Sequence, residues 1–222
     1  MIALIDYKAG NLTSVKKALA TLGADVFVPA QPADLAEARG IIVPGVGHFG
    51  ATRALDRGWV DAILERVGEG RPLFGICLGM QWLFEGSDEA PDAPGLGVLS
   101  GTCYRLGEKV RLKANTPSDT APSVRGVSLQ ADQTIKIPHV GWNSLTLGRE
   151  ASIVDGVEPD AQVYFTHSYV APLTSETIAT TEHGEPFAAV VQRANIAGVQ
   201  FHPEKSGDVG LRILRNFLEL AG

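Results

Sequence analysis

The chain is predicted to be an α/β protein: a mostly parallel, open sheet with helices on both faces, and added antiparallel strands in the second half. Three observations lead there. Short apolar runs alternate with helical periodicity through the first half, the pattern of a parallel sheet covered on both sides. The second half is richer in strand-like runs. Between them, Gly75-Ile76-Cys77-Leu78-Gly79 follows apolar Pro72-Leu73-Phe74, the layout of a strand that turns sharply into a helix.

Ile2 to Ile5 reads as the first buried strand. Asn11 can cap a helix whose apolar face is Leu12, Val15, Leu19 and Leu22, at three-and-four spacing. Ala24 to Val28 and Gly40 to Val43 are the next strands, and a helix through Leu55, Trp59, Ile63 and Val67 precedes the strand that feeds Cys77. Gln81, Trp82, Leu83 and Phe84 belong to the helix after that turn, which cannot continue through the Pro- and Gly-rich segment Ala90 to Gly95. Val98–Leu106, Gln162–Phe165, Thr177–Thr181, Ala188–Gln192 and Ile196–Phe201 read as strands, and Asp208 opens a closing helix with Leu211, Leu214, Phe217 and Leu218 inward. The polar stretch from Gly107 to Lys136 reads as an exposed loop. No internal repeat is present.

At 222 residues the chain suffices for one core, so residues 1–222 are read as a single domain. A net charge of −6 argues against nucleic acid or an anionic membrane surface as the main partner. No apolar run approaches the roughly 18 residues that span a bilayer, and the opening segment reaches Asp6 too soon for a signal peptide. Two cysteines do not make a disulfide framework, which makes the reducing cytoplasm the expected compartment.

Glycine flanks Cys77 at positions two before and two after, where a sharp turn leaves no room for side chains. Such a turn lifts the sulfur toward the first N–H groups of the next helix, whose dipole favours a thiolate nucleophile. A buried structural cysteine is the other reading of these five residues. A nucleophile of this kind needs a base held by a third group. Among five histidines, His202 stands best, at the end of an apolar strand with Glu204 two residues on. In extended chain those two side chains leave on the same side, with Pro203 stiffening the spacer. A surface histidine paired with a carboxylate would look the same. After Gly40–Val43, the glycines of Pro44-Gly45-Val46-Gly47 let a backbone N–H turn toward a developing oxyanion. Neither G-x-G-x-x-G nor a Walker pattern supports a phosphate loop there.

G-I-C-L-G-M-Q at 75–81 and G-V-Q-F-H-P-E-K-S at 198–206 together resemble the triad-type (class I) glutamine amidotransferases. P-G-V-G-H-F-G at 44–50, I-P-H-V-G-W-N at 137–143 and Y-F-T-H-S-Y at 164–169 make the chain similar to the glutaminase subunits of imidazole glycerol phosphate synthase in histidine biosynthesis, over nearly its whole length. The resemblance implies a class I glutamine amidotransferase-like fold and a Cys77, His202, Glu204 triad that hydrolyses glutamine to glutamate and ammonia through a thioester. It implies an oxyanion hole from the N–H groups of Leu78 and, after a peptide reorientation, Val46. Gly47, Gln81, Glu89, Ser168 and Tyr169 would hold glutamine. The partner would be a cyclase subunit with a (β/α)₈ barrel, faced by Asn11, Trp142, Tyr164 and Lys205, which uses the ammonia to make imidazole glycerol phosphate and AICAR. No cofactor and no metal is implied. Lys8-Ala9 departs from the glycine-rich pair usual after the first strand, which bears on the Asn11 role.

Several readings stay open on the residues alone. Glu89 suits an α-ammonium by charge, yet could simply be solvated; Trp142 and Tyr164 could be core residues. His139 and His167 read as structural or interface residues, and a zinc site joining them to His202 lacks ligand spacing. The glutaminase of another synthase, such as the one making pyridoxal phosphate, and a sensor protein using Cys77 as its thiol are the competing functions.

Overall fold

A computed structural model describes residues 1–10, 12–107 and 135–222. Asn11 and most of the polar stretch 107–136 therefore lie outside the described residues. The strands are β1 (Ile2–Leu4), β2 (Val26–Phe27), β3 (Gly40–Gly45), β4 (Leu73–Cys77), β5 (Gly86–Ser87), β6 (Thr102–Arg105), β7 (His139–Ser144), β8 (Thr146–Leu147), β9 (Gln162–His167), β10 (Tyr169–Val170), β11 (Thr177–Glu182), β12 (Pro186–Arg193) and β13 (Ile196–Val199). The α-helices are α1 (Leu12–Thr21), α2 (Arg57–Gly68), α3 (Leu78–Trp82) and α4 (Gly207–Leu220).

Eight strands form the main sheet in the order β2-β1-β3-β4-β13-β12-β11-β8. The first five are mutually parallel, and the last three join antiparallel. Successive residues of one strand face opposite sides, so Ile42, Phe74 and Ile76 point into one cluster while Ile41, Val43 and Leu73 point into the other. The first cluster is closed by Val15 and Leu19 of α1 and by Ile213, Leu214 and Phe217 of α4, with Phe217 stacked on Phe74 at 5.2 Å between centroids. The second is closed by Leu35, Ile63 of α2, and Met80 and Trp82 of α3. Each such side chain contributes roughly 1.5–3 kcal/mol by leaving water, which is why the strands read as unbroken apolar runs.

Several expected elements are redrawn by tertiary contacts. Asp56 caps α2 by accepting from the Trp59 N–H, so that helix starts after Leu55. Helix α3 stops at Trp82 because the carbonyls of Trp82, Leu83, Phe84 and Glu85 accept from Leu96, Leu99, Gly97 and Gly95 instead of from a further turn. The strand expected over Val98–Leu106 is confined to β6. In α4, Leu211 and Leu218 are half-buried, and Ile213 joins Leu214 and Phe217 on the inner stripe. The I-P-H-V-G-W-N segment supplies β7, an additional strand, which pairs antiparallel with β9 in the register His139↔His167 and Trp142↔Tyr164.

Parallel pairing sets β3, β4 and β13 side by side, and Gly45 lies opposite Cys77. Three segments far apart in sequence therefore leave the sheet at its carboxyl edge together: Pro44–Gly47, Cys77 and the chain leading to His202. That edge is where open α/β sheets place their sites.

Candidate active site

At the end of β4, Cys77 has φ 53° and ψ −107°, a conformation that side chains rarely take. The neighbours make it unavoidable. A Cβ on Gly75 would lie 2.6 Å from the Gly79 carbonyl oxygen, and one on Gly79 would overlap the carbonyl of Val43 in β3. The two bare positions let strand, turn and helix close on one another, and the turn places Cys77 at the N-terminus of α3. As the first helical residue, Leu78 has an N–H with no carbonyl of its own helix to meet.

His202 and Glu204 are nearly sealed from water, with side chains 2% and 3% exposed, and His202 Nδ1 lies 2.8 Å from Glu204 Oε1. The pairing is made across a 3₁₀ turn over Pro203–Lys205 and not along extended chain, which corrects the geometric basis of the expectation. Ser206 clamps the turn: its Oγ donates to the His202 carbonyl at 2.6 Å and accepts from the Tyr164 N–H at 3.0 Å. His202 Nε2 is buried with no hydrogen-bond partner, and Cys77 is near enough to act on the ring. Burial opposes a charged ring, but attraction to Cys77 and the hydrogen bond and charge of Glu204 override it, and push His202 up to about 9. The thiol thus shares its site with a base ready to carry its proton.

The Pro44–Gly47 turn stands beside them in one particular state. Val46 N–H donates to the Ala9 carbonyl at 2.8 Å, and Gly47 takes φ +103°, which favours glycine. In this arrangement the Val46 donor is directed at Ala9.

A cavity of about 210 Å³ opens over the sulfur, lined by Cys77, Leu78, Gly47, Gln81 and Glu89 from one side and by Thr166 to Tyr169 from the other. The five residues expected to hold glutamine, Gly47, Gln81, Glu89, Ser168 and Tyr169, are therefore gathered around one space. Gln81 donates through Nε2 to the Tyr169 carbonyl at 2.8 Å and to Gln200 Oε1 at 3.1 Å. Glu89 is half-buried, and its Oε2 accepts from the Phe49 N–H at 2.6 Å. It is held in place, not simply solvated.

The expected partner residues form a separate surface cluster. Trp142 is 57% exposed, so it is no core residue, and it meets Tyr164 edge-on at 6.1 Å between centroids. Lys205 Nζ lies 5.8 Å from the centre of the half-buried Tyr164 ring. Val140 extends the apolar face at 56% exposure. Asn11 lies outside the described residues.

His139 and His167 serve packing. A carbonyl only accepts, so His167 Nδ1–H donates to Tyr169 O at 3.1 Å; His167 Nε2 then accepts from His139 Nδ1 at 3.1 Å, and His139 Nε2 from Asn143 Nδ2 at 3.3 Å. One tautomer of each neutral ring satisfies the whole chain. Among the described residues no three His, Cys, Asp or Glu side chains are placed to hold a metal ion.

Two participants escaped sequence reasoning. Gln200 is fully buried, and its Nε2 lies 3.6 Å from Cys77 Sγ. It sits two residues before His202, a spacing that in extended chain puts both side chains on one face and is the signal that could have found it. Ala9 acts only through its carbonyl, for which a sequence carries no signal.

The model of the class-I glutamine amidotransferases matches residues 3–221. The HisH subunit of imidazole glycerol phosphate synthase from Desulfovibrio desulfuricans is 42% identical, aligned over 99% of this chain and 94% of its own length. The HisH subunit from Halobacterium salinarum is also 42% identical, over 98% of this chain and 92% of its own. In fold, the chain matches a crystal structure of a glutamine amidotransferase with TM-score 0.71 and 23% identity, each chain covered completely. It matches the structure of PurLQS from Thermotoga maritima with TM-score 0.70 and 15% identity, over 98% of this chain and 97% of that one. The chain belongs to the class-I glutamine amidotransferases, in the family of HisH subunits of imidazole glycerol phosphate synthase.

Proposed function

We propose that this chain, as a single domain over 1–222, hydrolyses glutamine and delivers the ammonia to a (β/α)₈-barrel cyclase subunit, which makes imidazole glycerol phosphate and AICAR in histidine biosynthesis. The observation that carries the reading is the meeting of Cys77, the buried His202–Glu204 pair and the Pro44–Gly47 turn at the carboxyl ends of β4, β13 and β3. Cys77 Sγ attacks the side-chain amide carbon of glutamine. The negative charge that develops on the carbonyl oxygen is met by the Leu78 N–H. Turning the Val46 N–H away from Ala9 supplies a second donor; removing one such donor costs roughly 3 kcal/mol of barrier in comparable sites. His202 protonates the departing nitrogen, ammonia leaves, and a thioester remains on Cys77. His202 then takes a proton from water, which attacks the thioester and releases glutamate. Glu204 keeps the ring oriented and favours its charged form.

Gln81 has committed its NH₂ group to Tyr169 and Gln200, so Oε1 is the atom left to accept from the α-ammonium of glutamine, together with Glu89. Gly47, Ser168 and Tyr169 close the rest of the cavity. The exposed Trp142 and Lys205 and the half-buried Tyr164 between them suit a partner surface, where aromatic side chains are enriched; Asn11 completes that set by resemblance. The reading places the chain in the cytoplasm, where its thiol stays reduced. No helix among the described residues is long and apolar enough to cross a membrane.

The test is a coupled assay with the cyclase, fed glutamine or free ammonium. Cys77→Ala is expected to abolish the glutamine reaction and leave the ammonium reaction intact. Glutamine-dependent turnover by Cys77→Ala would overturn the proposal.

A further inference from the structure

The mechanism above makes no use of Gln200, a buried side chain beside the nucleophile. Gln200 follows β13 and is fully shielded from water. A buried carboxamide must have both ends satisfied or bear the cost of desolvation. At one end Gln200 Oε1 is 3.1 Å from Gln81 Nε2, and at the other its Nε2 is 3.6 Å from Cys77 Sγ, a normal separation for an acceptor as large as sulfur. Which end is which follows from the neighbours. The Gln81 group that contacts Gln200 also contacts the Tyr169 carbonyl at 2.8 Å, and a carbonyl only accepts. That group must be NH₂, so the Gln200 atom facing it must be oxygen, and its own NH₂ must face the sulfur.

We propose that Gln200 is a positioning residue for the nucleophile. Its N–H donor, locked by Gln81, holds the Cys77 sulfur toward His202 and stabilises the sulfur when it carries negative charge. The inference rests on the glutaminase reading and deepens it. Gln81 then has two tasks, one facing the substrate cavity and one fixing the donor behind the thiol. Gln200 is not among the residues that line the cavity, and Tyr169 still anchors Gln81 in its absence, so its loss acts mainly on kcat and much less on KM.

Two variants test this. Gln200→Leu removes the donor, and Gln200→Glu keeps the shape and the acceptor for Gln81 while turning a carboxylate oxygen on the sulfur. Hydrogen bonds to charged groups are worth enough that Gln200→Leu should lower kcat for glutamine, and the Cys77 alkylation rate at neutral pH, by about tenfold. Gln200→Glu should lower both further. In each, alkylation should recover toward the wild-type rate as the pH is raised, since excess base supplies the thiolate that the missing donor no longer favours. A merely structural role would not produce that recovery. Thermal melts establish that each variant is folded, and the isosteric Gln200→Glu serves if Gln200→Leu is not. Wild-type alkylation rates and kcat in a folded Gln200→Glu chain would overturn the inference. Failure of the glutaminase reading would appear elsewhere, as wild-type protein that forms no product from glutamine with the cyclase.

Discussion

Acid should destabilise this protein through two buried histidines outside the proposed triad, His139 and His167. His167 is held down at about 3, by burial first and then by the charge of His139, against the donation it makes to Tyr169; His183 and His202 also disfavour its cation. His139 is held at about 4 by burial and by His183, on which it stacks at 4.2 Å between centroids. Both rings stay neutral in the fold and protonate near 6.5 in the unfolded chain. Their contribution is therefore complete above 6.5 and is lost as the pH falls below it. Each pH unit below that value costs about 1.4 kcal/mol per ring. At about pH 5 the loss is roughly 2 kcal/mol for His167 and, at half weight because Asn143 and His183 bring solvent nearer, roughly 1 kcal/mol for His139. His202 works the other way. Its raised value gives stability that is complete below 6.5 and lost as the pH rises through 9, so acidification returns just under about 1 kcal/mol. The net loss is about 2 kcal/mol between about pH 7 and pH 5, a sizeable part of a typical folding free energy. Urea titrations followed by tryptophan fluorescence at the two pH values measure it. Replacing both rings by the non-titrating His139→Gln and His167→Gln should abolish the loss and leave only the small gain on acidification that His202 contributes. An equal pH dependence in wild type and double variant would refute the reasoning.

Three further outcomes follow from the geometry. Glu204→Gln exchanges a charge-assisted contact of 2.8 Å for a neutral one; His202 should fall from about 9 toward its ordinary value, and glutamine-dependent kcat by roughly 10- to 100-fold, the worth of such a bond, without loss of the ammonium reaction. Gly79→Ala drives a methyl group into the Val43 carbonyl, and because the obstacle is backbone the elbow must shift; a loss of about 3 kcal/mol or more is expected in denaturant titrations, together with the glutaminase activity. Trp142→Ala removes a ring that is 57% exposed, so the melting temperature should hardly move, while affinity for the cyclase, measured by calorimetry, should weaken by about 30-fold, corresponding to some 2 kcal/mol.

How much of this was legible in the sequence depends on what fixes each element. Strands β1, β3, β4 and β13 are buried on both faces, so every residue in them is selected for apolarity and the runs announce themselves. Strand β7 does not: His139-Val140-Gly141-Trp142-Asn143-Ser144 carries glycine, asparagine and an exposed tryptophan, and becomes a strand only because β9 lies alongside it. The length of α3 was hidden for a related reason. Its apolar continuation suits a helix, but the carbonyls that would extend it are taken by backbone N–H groups of residues 95–99, a contact no local pattern encodes. Tertiary pairing overrode propensity in both cases.

The site divides along the same line. Cys77, His202 and the glycines around the elbow are readable because each needs a particular side chain, or none, at a fixed spacing. The state of the Pro44–Gly47 turn is not, since the bond from Val46 N–H to the Ala9 carbonyl is made between two backbones and survives almost any substitution at either residue. That bond lets geometry separate binding from turnover. On the proposed mechanism, the cavity, the nucleophile and the base are in place while the Val46 N–H is bonded to Ala9, so glutamine is held before the oxyanion site is complete. Deleting the donor with Val46→Pro should accordingly lower kcat far more than it raises the Kd for glutamine. A matching loss in Kd would mean that the turn serves the ground state and not the transition state.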